Sequence, residues 1–300
     1  MKRVYKKNFL LLGVLLSLFI VGELLLRMIW GFGNMPLYVE SKQYEYIFAP
    51  NQEMTRFGVH FYVNSYSQRS KEPDANKKIV LGLGDSVIYG GAQTDNDSLA
   101  TSIVSVSTEY QMLNISAGSW GPDNCAAYLK EYGLFDAKAI FVVLSSHDAS
   151  DLMDFTPTVG VHKSYPKENY LLATFEVFDR YIIPRIFKMK ETINPDERVL
   201  KGIDKGSDWN RGWDELKDIA RSAEIPMILI LHAEQSELKA GDYNEKGQMI
   251  QRWASENQIK LIKDITVLKE ENYRDNIHVN ESGQRVLADL MIKELVTMAL

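Results

Sequence analysis

The residues best placed to do chemistry lie in four short stretches, each at the edge of an apolar run. Gly84-Asp85-Ser86 follows the run Ile79–Leu83. A serine in a tight turn at a strand end can face a cleft, and a helix starting there favours developing negative charge. Asn114 to Gly121 contains the closely spaced Gly118 and Gly121, which let backbone N–H groups turn toward a ligand. Ser145-Ser146-His147-Asp148 places polar side chains after a third run, although Asp148 reads equally well as a helix cap. Asp275-Asn276-Ile277-His278 comes before the last apolar pattern. An aspartate three residues before a histidine reaches its Nδ1–H if the segment turns, and Nε2 is then free to take a serine proton. Each stretch alone is commonplace. Their order along the chain points to one site.

The elements that would position them follow from the apolar pattern. Runs of four to six apolar residues recur at Ile79–Leu83, Met112–Ile115, Ile140–Leu144 and Pro226–Leu231, with a weaker one at Ile259–Ile262. Such runs suit strands buried on both faces. Between them Trp209, Trp213, Leu216 and Ala220 fall on one helical face, and Val286 to Met298 forms a terminal amphipathic helix. Alternating strands and helices predict a parallel α/β sheet, with ligands at the carboxyl ends of its strands. Residues 151–205 break the alternation and read as an insertion beside the site mouth, a lid, a substrate wall or a packing excursion. Within it the spacing predicts a helix at about 169–188, bent by Pro184.

Four stretches, IVLGLGDSVIYGG, NISAGSWGPDN, VVLSSHDASD and DNIHVNESGQRVLA, together resemble the SGNH, or GDSL-like, hydrolase family over about residues 78–300. FYVNSYSQRS in the preceding segment resembles the approach to this domain in membrane-anchored members. The resemblance implies a three-layer α/β/α fold with a flavodoxin-like, doubly wound parallel sheet of about five strands. It implies Ser86 as nucleophile and backbone oxyanion donor, Asp275 and His278 as the rest of the triad, and the turn at Gly118 as a second donor. Two positions depart from the family pattern. His147 stands where an asparagine usually donates to the oxyanion, a role an imidazole N–H can also fill. The glycine of the second stretch is displaced by one residue, which brings Ser119 to that position in one alignment. The activity implied is ester hydrolysis or acyl transfer through an acyl-enzyme, on an O-acyl, often O-acetyl, group of an envelope or exported polysaccharide or on another small ester. The alternative is a non-catalytic polysaccharide-binding or assembly module.

Composition limits the other classes. Of 300 residues 45% are apolar and 25% charged, as in ordinary globular proteins. The formal net charge is −6, and setting aside Lys2, Arg3, Lys6 and Lys7 leaves −10 on residues 8–300. An acidic body is a poor match for nucleic acid, and it would not hold anionic headgroups, so membrane attachment must be apolar. The single cysteine, Cys125, cannot form an internal disulfide and reads as a core residue. His60, His162 and His232 have no partner at metal-ligand spacing, and no phosphate-binding or dinucleotide turn occurs; neither metal nor cofactor is expected. Phe9–Trp30, behind its basic head, is long enough to span a bilayer with the rest of the chain exported. A cleaved signal peptide is the alternative. Glu23 and Arg27 interrupt the span at i, i+4 and can pair on one face or lie at the outer interface. The expected organisation is a head and anchor at 1–30, a connecting segment at 31–77 and a catalytic domain at 78–300.

Overall fold

The apolar runs form strands at the centre of the molecule because helices cover both of their faces. The computed structural model describes residues 2–187 and 209–298. In chain order, helix α1 (Lys2–Trp30) is followed by strands β1 (Tyr38–Ser41), β2 (Glu45–Phe48), β3 (Gln52–Arg56) and β4 (Val59–Val63). Next come β5 (Lys78–Gly84), α2 (Ser86–Tyr89), α3 (Ala100–Ser107), β6 (Tyr110–Ser116), α4 (Pro122–Tyr132) and β7 (Ile140–Ser145). After β7 lie α5 (Ala173–Glu176), a π-helical turn (Val177–Ile182) and α6 (Ile183–Ile186). The chain continues with α7 (Gly212–Ser222), β8 (Met227–His232), α8 (Gln235–Ala240), α9 (Glu245–Glu256), β9 (Lys260–Lys263) and α10 (Glu281–Met298).

Among the described residues, β6-β5-β7-β8-β9 form a five-stranded, wholly parallel sheet in that spatial order. All five expected strands are present, and the fold is a doubly wound three-layer α/β/α arrangement. Alternation along the strands divides the core. Leu81, Leu83, Val142, Leu229 and Leu231 face one side, with α4, α7 and α9. Val80, Met112, Phe141, Val143 and Ile230 face the other, with α2, α3 and α10. The order reverses between β5 and β7, the switch point at which such sheets bind ligands. Cys125 is fully buried in α4, as expected of a core residue.

Residues 31–77, expected as a connecting segment, contain two antiparallel pairs, β1 with β2 and β3 with β4. Their Tyr46, Ile47, Phe48 and Phe61 share a core with Trp120 and Tyr128 of the main domain. The expected helix at 169–188 begins at Ala173. It keeps a helical path past Pro184 through the π-helical turn, which accommodates the missing N–H and the ring. Trp209 precedes α7 instead of joining it, and stacks on Trp213 with ring centroids 6.0 Å apart. The 188–205 part of the expected insertion lies outside the described residues.

Lys7–Trp30 of α1 has a mean hydropathy of 2.6 and exposed apolar side chains, enough by length and composition to cross a membrane.

Candidate active site

Strand β5 ends against its neighbours so tightly that only glycine fits. A Cβ on Gly84 would lie 2.1 Å from the Val143 carbonyl oxygen, at φ +157°. The chain therefore turns sharply into α2 and leaves Ser86 at its first position. Asp85 caps this turn, its Oδ1 accepting from the Val87 N–H at 2.8 Å. Beyond α2, the buried Arg69 holds the next loop by donating to the carbonyls of Tyr89 and Gly91, each at 2.7 Å, and to that of Thr94.

The segment ahead of α10 returns to this point. Asp275 Oδ1 accepts from the backbone N–H groups of Ile277 (3.1 Å) and His278 (2.8 Å), the local turn expected from the spacing. The His278 ring is thereby set with Nδ1 2.8 Å from Asp275 Oδ2 and Nε2 2.9 Å from Ser86 Oγ. Residues 192 apart in sequence form one continuous relay from carboxylate to hydroxyl. Partial burial pushes the Asp275 carboxyl up, but the His278 ring and the two backbone N–H groups hold it well below the usual carboxylate range. Asp275 is therefore an anion at any working pH, the state that keeps the proton on Nδ1.

Gly118 lies on the turn after β6, its carbonyl accepting from Tyr46 Oη at 2.9 Å. A Cβ there would come within 3.1 Å of Tyr165 Oη, so the segment after β7 packs over this turn. Ser119 has φ +57°, a left-handed conformation that glycine adopts more readily. This matches the glycine displaced from its expected position.

His147 follows β7. Its Nδ1 lies 3.2 Å from Glu234 Oε1, and its Nε2 lies 3.7 Å from Asp148 Oδ1, too far for a hydrogen bond. Burial works against charging the ring, but Asp148, Glu234 and Asp85 raise its pKa to about 10. The carboxylates around His147 thus favour the charged ring, with an N–H on both nitrogens. Asp148 also takes the capping role weighed above, its Oδ2 accepting from the Ser145 N–H at 2.7 Å. Burial pushes both Asp85 and Asp148 up; two buried carboxyls beside one imidazolium hold a proton between them more readily than two negative charges. Asp85, His147 and Asp148 offer ligand atoms within 4.8 Å of one another, a donor set able to take a cation. The charged imidazole supplies positive charge at that place.

The spacing in sequence did not reveal His232. It ends β8, fully buried, with Nδ1 2.6 Å from Asp264 Oδ2 and Nε2 2.8 Å from the Ile277 carbonyl oxygen. Burial lowers its pKa, but Asp264 and the Ile277 carbonyl outweigh this and raise it to about 8. Both neighbours are acceptors, so the charged ring donates to both. Its bond to Ile277 tethers the residue before His278 to the sheet.

No family model matches the chain, and no curated protein matches it. Among solved structures, the chain is similar to a lipolytic protein of the G-D-S-L family from Veillonella parvula, at 13% identity over 72% of this chain and 97% of that one, with a TM-score of 0.43. It is similar to an aryl esterase from M. smegmatis at 12% identity, over 73% of this chain and 99% of that one, with a TM-score of 0.43. It is also similar to a carbohydrate acetylesterase from Sinorhizobium meliloti at 10% identity, over 74% of this chain and 100% of that one, again with a TM-score of 0.43. Likeness at this level assigns neither activity nor substrate.

Proposed function

We propose that this chain is a membrane-anchored serine esterase or O-acyltransferase that works outside the cytoplasm. The observation that carries the reading is the unbroken relay Asp275–His278–Ser86, with contacts of 2.8 and 2.9 Å. His278 Nε2 takes the hydroxyl proton as Ser86 Oγ attacks the acyl carbonyl carbon. The carbonyl oxygen becomes an oxyanion, met by the Ser86 backbone N–H, the turn at Gly118 and the His147 cation. On collapse the ester C–O bond breaks, and His278 returns the proton to the departing alcohol. Water or a sugar hydroxyl then gives its proton to His278 and attacks the acyl-enzyme, and as the acyl C–Oγ bond breaks His278 returns that proton to Ser86 Oγ. The two outcomes share one intermediate, so hydrolysis and transfer use the same residues.

The substrate we propose is an O-acyl, often O-acetyl, group on an envelope or exported polysaccharide. The sequence resemblance and the apolar helix support it. For the anchor, the outer end of α1 is built into the body of the protein. The Trp30 carbonyl accepts from the Phe57 N–H at 3.0 Å, and the Gly31 carbonyl from Arg56 at 2.9 Å. Those contacts favour a retained anchor at residues 1–30 over a cleaved signal, with 31–77 joining it to a catalytic domain at 78–300. The second reading, a polysaccharide-binding module without turnover, draws on His147, whose two nitrogens both face carboxylates.

Hydrolysis of an activated acetyl ester by the wild-type chain and by Ser86→Ala tests the proposal. Turnover by the wild type that collapses in the variant supports it. Equal turnover by both excludes Ser86 as nucleophile.

A further inference from the structure

Outside α1, large apolar side chains left in water concentrate on one segment. Leu171 is 90% exposed, Phe175 60%, Phe178 53%, Ile186 67% and Phe187 70%. Leu171 lies just ahead of α5, Phe175 within it and Phe178 in the π-helical turn that follows, all exposed, while Ala173 and Glu176 turn inward and are fully buried. Scattered exposed apolar residues are normal on a soluble surface; a run of phenylalanines and leucines along one segment marks a contact.

The segment is fastened to the outer end of α1. Glu23 accepts from the backbone N–H groups of Ala173 (2.6 Å) and Thr174 (2.9 Å) and from the Thr174 hydroxyl (2.8 Å), so a side chain of α1 caps α5. Arg27, paired with Glu23 at 2.8 Å, donates to the Leu171 carbonyl at 2.6 Å. On its inner side Glu176 forms a buried ion pair with Arg56 and accepts from the Gly33 N–H. The pair Glu23 and Arg27, which interrupts the apolar span, thus holds α5 beside the last two turns of α1.

This fixes the height of the patch. The 24 residues Lys7–Trp30 extend about 36 Å at ~1.5 Å per residue. A hydrocarbon core is about 30 Å thick. Residues 23–30 therefore lie where the acyl chains give way to headgroups, and α5 lies level with them. An acidic body has no electrostatic means of holding an anionic surface, so a second contact there must also be apolar.

We infer that the α5–α6 segment lies in the outer boundary of the bilayer, with Leu171, Phe175, Phe178 and Ile186 among the lipids as a second attachment beside α1. This rests on the anchoring reading above. A helix and a lateral patch together restrain the tilt of the catalytic domain, so the mouth of the site is held at a set height over the membrane.

The test uses the full chain in phosphatidylcholine vesicles, with a nitroxide placed singly by Leu18→Cys, Phe175→Cys, Ile186→Cys or Val106→Cys; Cys125 is buried and does not compete. Relaxation by oxygen, which enriches in the acyl region, is compared with relaxation by a water-soluble nickel chelate. Melting temperatures matching the unlabelled chain verify the fold. At 175 and 186 the nickel effect should be several-fold below that at the exposed Val106, with strong oxygen contact, and at 18 it should be abolished. Labels at 175 and 186 that respond like 106 would overturn the inference while leaving the anchor intact. So would labels shielded from both reagents, which would mean that protein covers the patch. A label at 18 that meets the nickel chelate would remove the anchor itself.

Discussion

On the proposed reading His278 activates Ser86, and the Asp275 carboxylate and the local backbone hold the His278 ring. Ser86→Ala or His278→Ala should therefore lower kcat on an acetyl ester by on the order of 10^3 or more, because the three residues act as a unit. Asp275→Ala should cost less, since its carboxylate is half-exposed and water can partly replace it. Steady-state kinetics on the three variants checks this ordering; a Ser86→Ala enzyme with wild-type kcat contradicts it. The carboxylates around His147 favour its charged form, and its Nε2 lies 3.7 Å from Asp148 Oδ1, beyond hydrogen-bond reach. Its loss in His147→Ala should lower kcat by about 10^2–10^3 with little change in KM, the usual effect of removing one oxyanion donor. His147→Asn should recover part of this. If kcat per folded molecule stays near wild type while the melting temperature falls, the ring serves packing alone. The Asp275–His278 contact was readable in sequence because the two are three residues apart and their turn is local, whereas Ser86, 192 positions from His278, was joined to them only by the order of the motifs and the family resemblance. The acidic surroundings of His147 were not readable, because Glu234, 3.2 Å from its Nδ1, is 87 positions away.

Strand ends decide the next level. His232 closes β8 and Asp264 follows β9, adjacent parallel strands, so they meet only once the strand order is known. The raised His232 pKa, about 8 against an ordinary 6.5, has a definite sign for stability. The group binds its proton more tightly in the folded state, so its contribution is fully present below pH 6.5 and lost as pH rises through about 8. The difference amounts to about 2 kcal/mol. Chemical denaturation of the wild type between pH 6.5 and 9 should show this decline, and His232→Gln should flatten it. An unchanged slope in the variant would mean that the ring is neutral throughout. The five strands of the sheet were legible because burial on both faces leaves near-continuous apolar runs. The hairpins β1–β2 and β3–β4 were not, because their alternation is short and their aromatic residues bury against Trp120 and Tyr128, which lie far along the chain.

For the whole molecule, the proposed topology keeps the basic head inside and carries α1 across the membrane, with the body of the protein outside. Alkaline phosphatase fused after Leu300 should be active and a cytoplasmic reporter at the same site silent; the reverse pattern would contradict the orientation. Ser86 is 8% exposed and reached from the strand ends, so a small electrophile can approach it there. The relay itself is tested most directly by incubating the full chain with a fluorophosphonate and locating the adduct by peptide mass. One phosphonyl group on Ser86, absent from Ser86→Ala and strongly reduced in His278→Ala, is the expected result. A chain that remains unlabelled while folded would contradict an activated serine, and would leave a polysaccharide-binding module as the function.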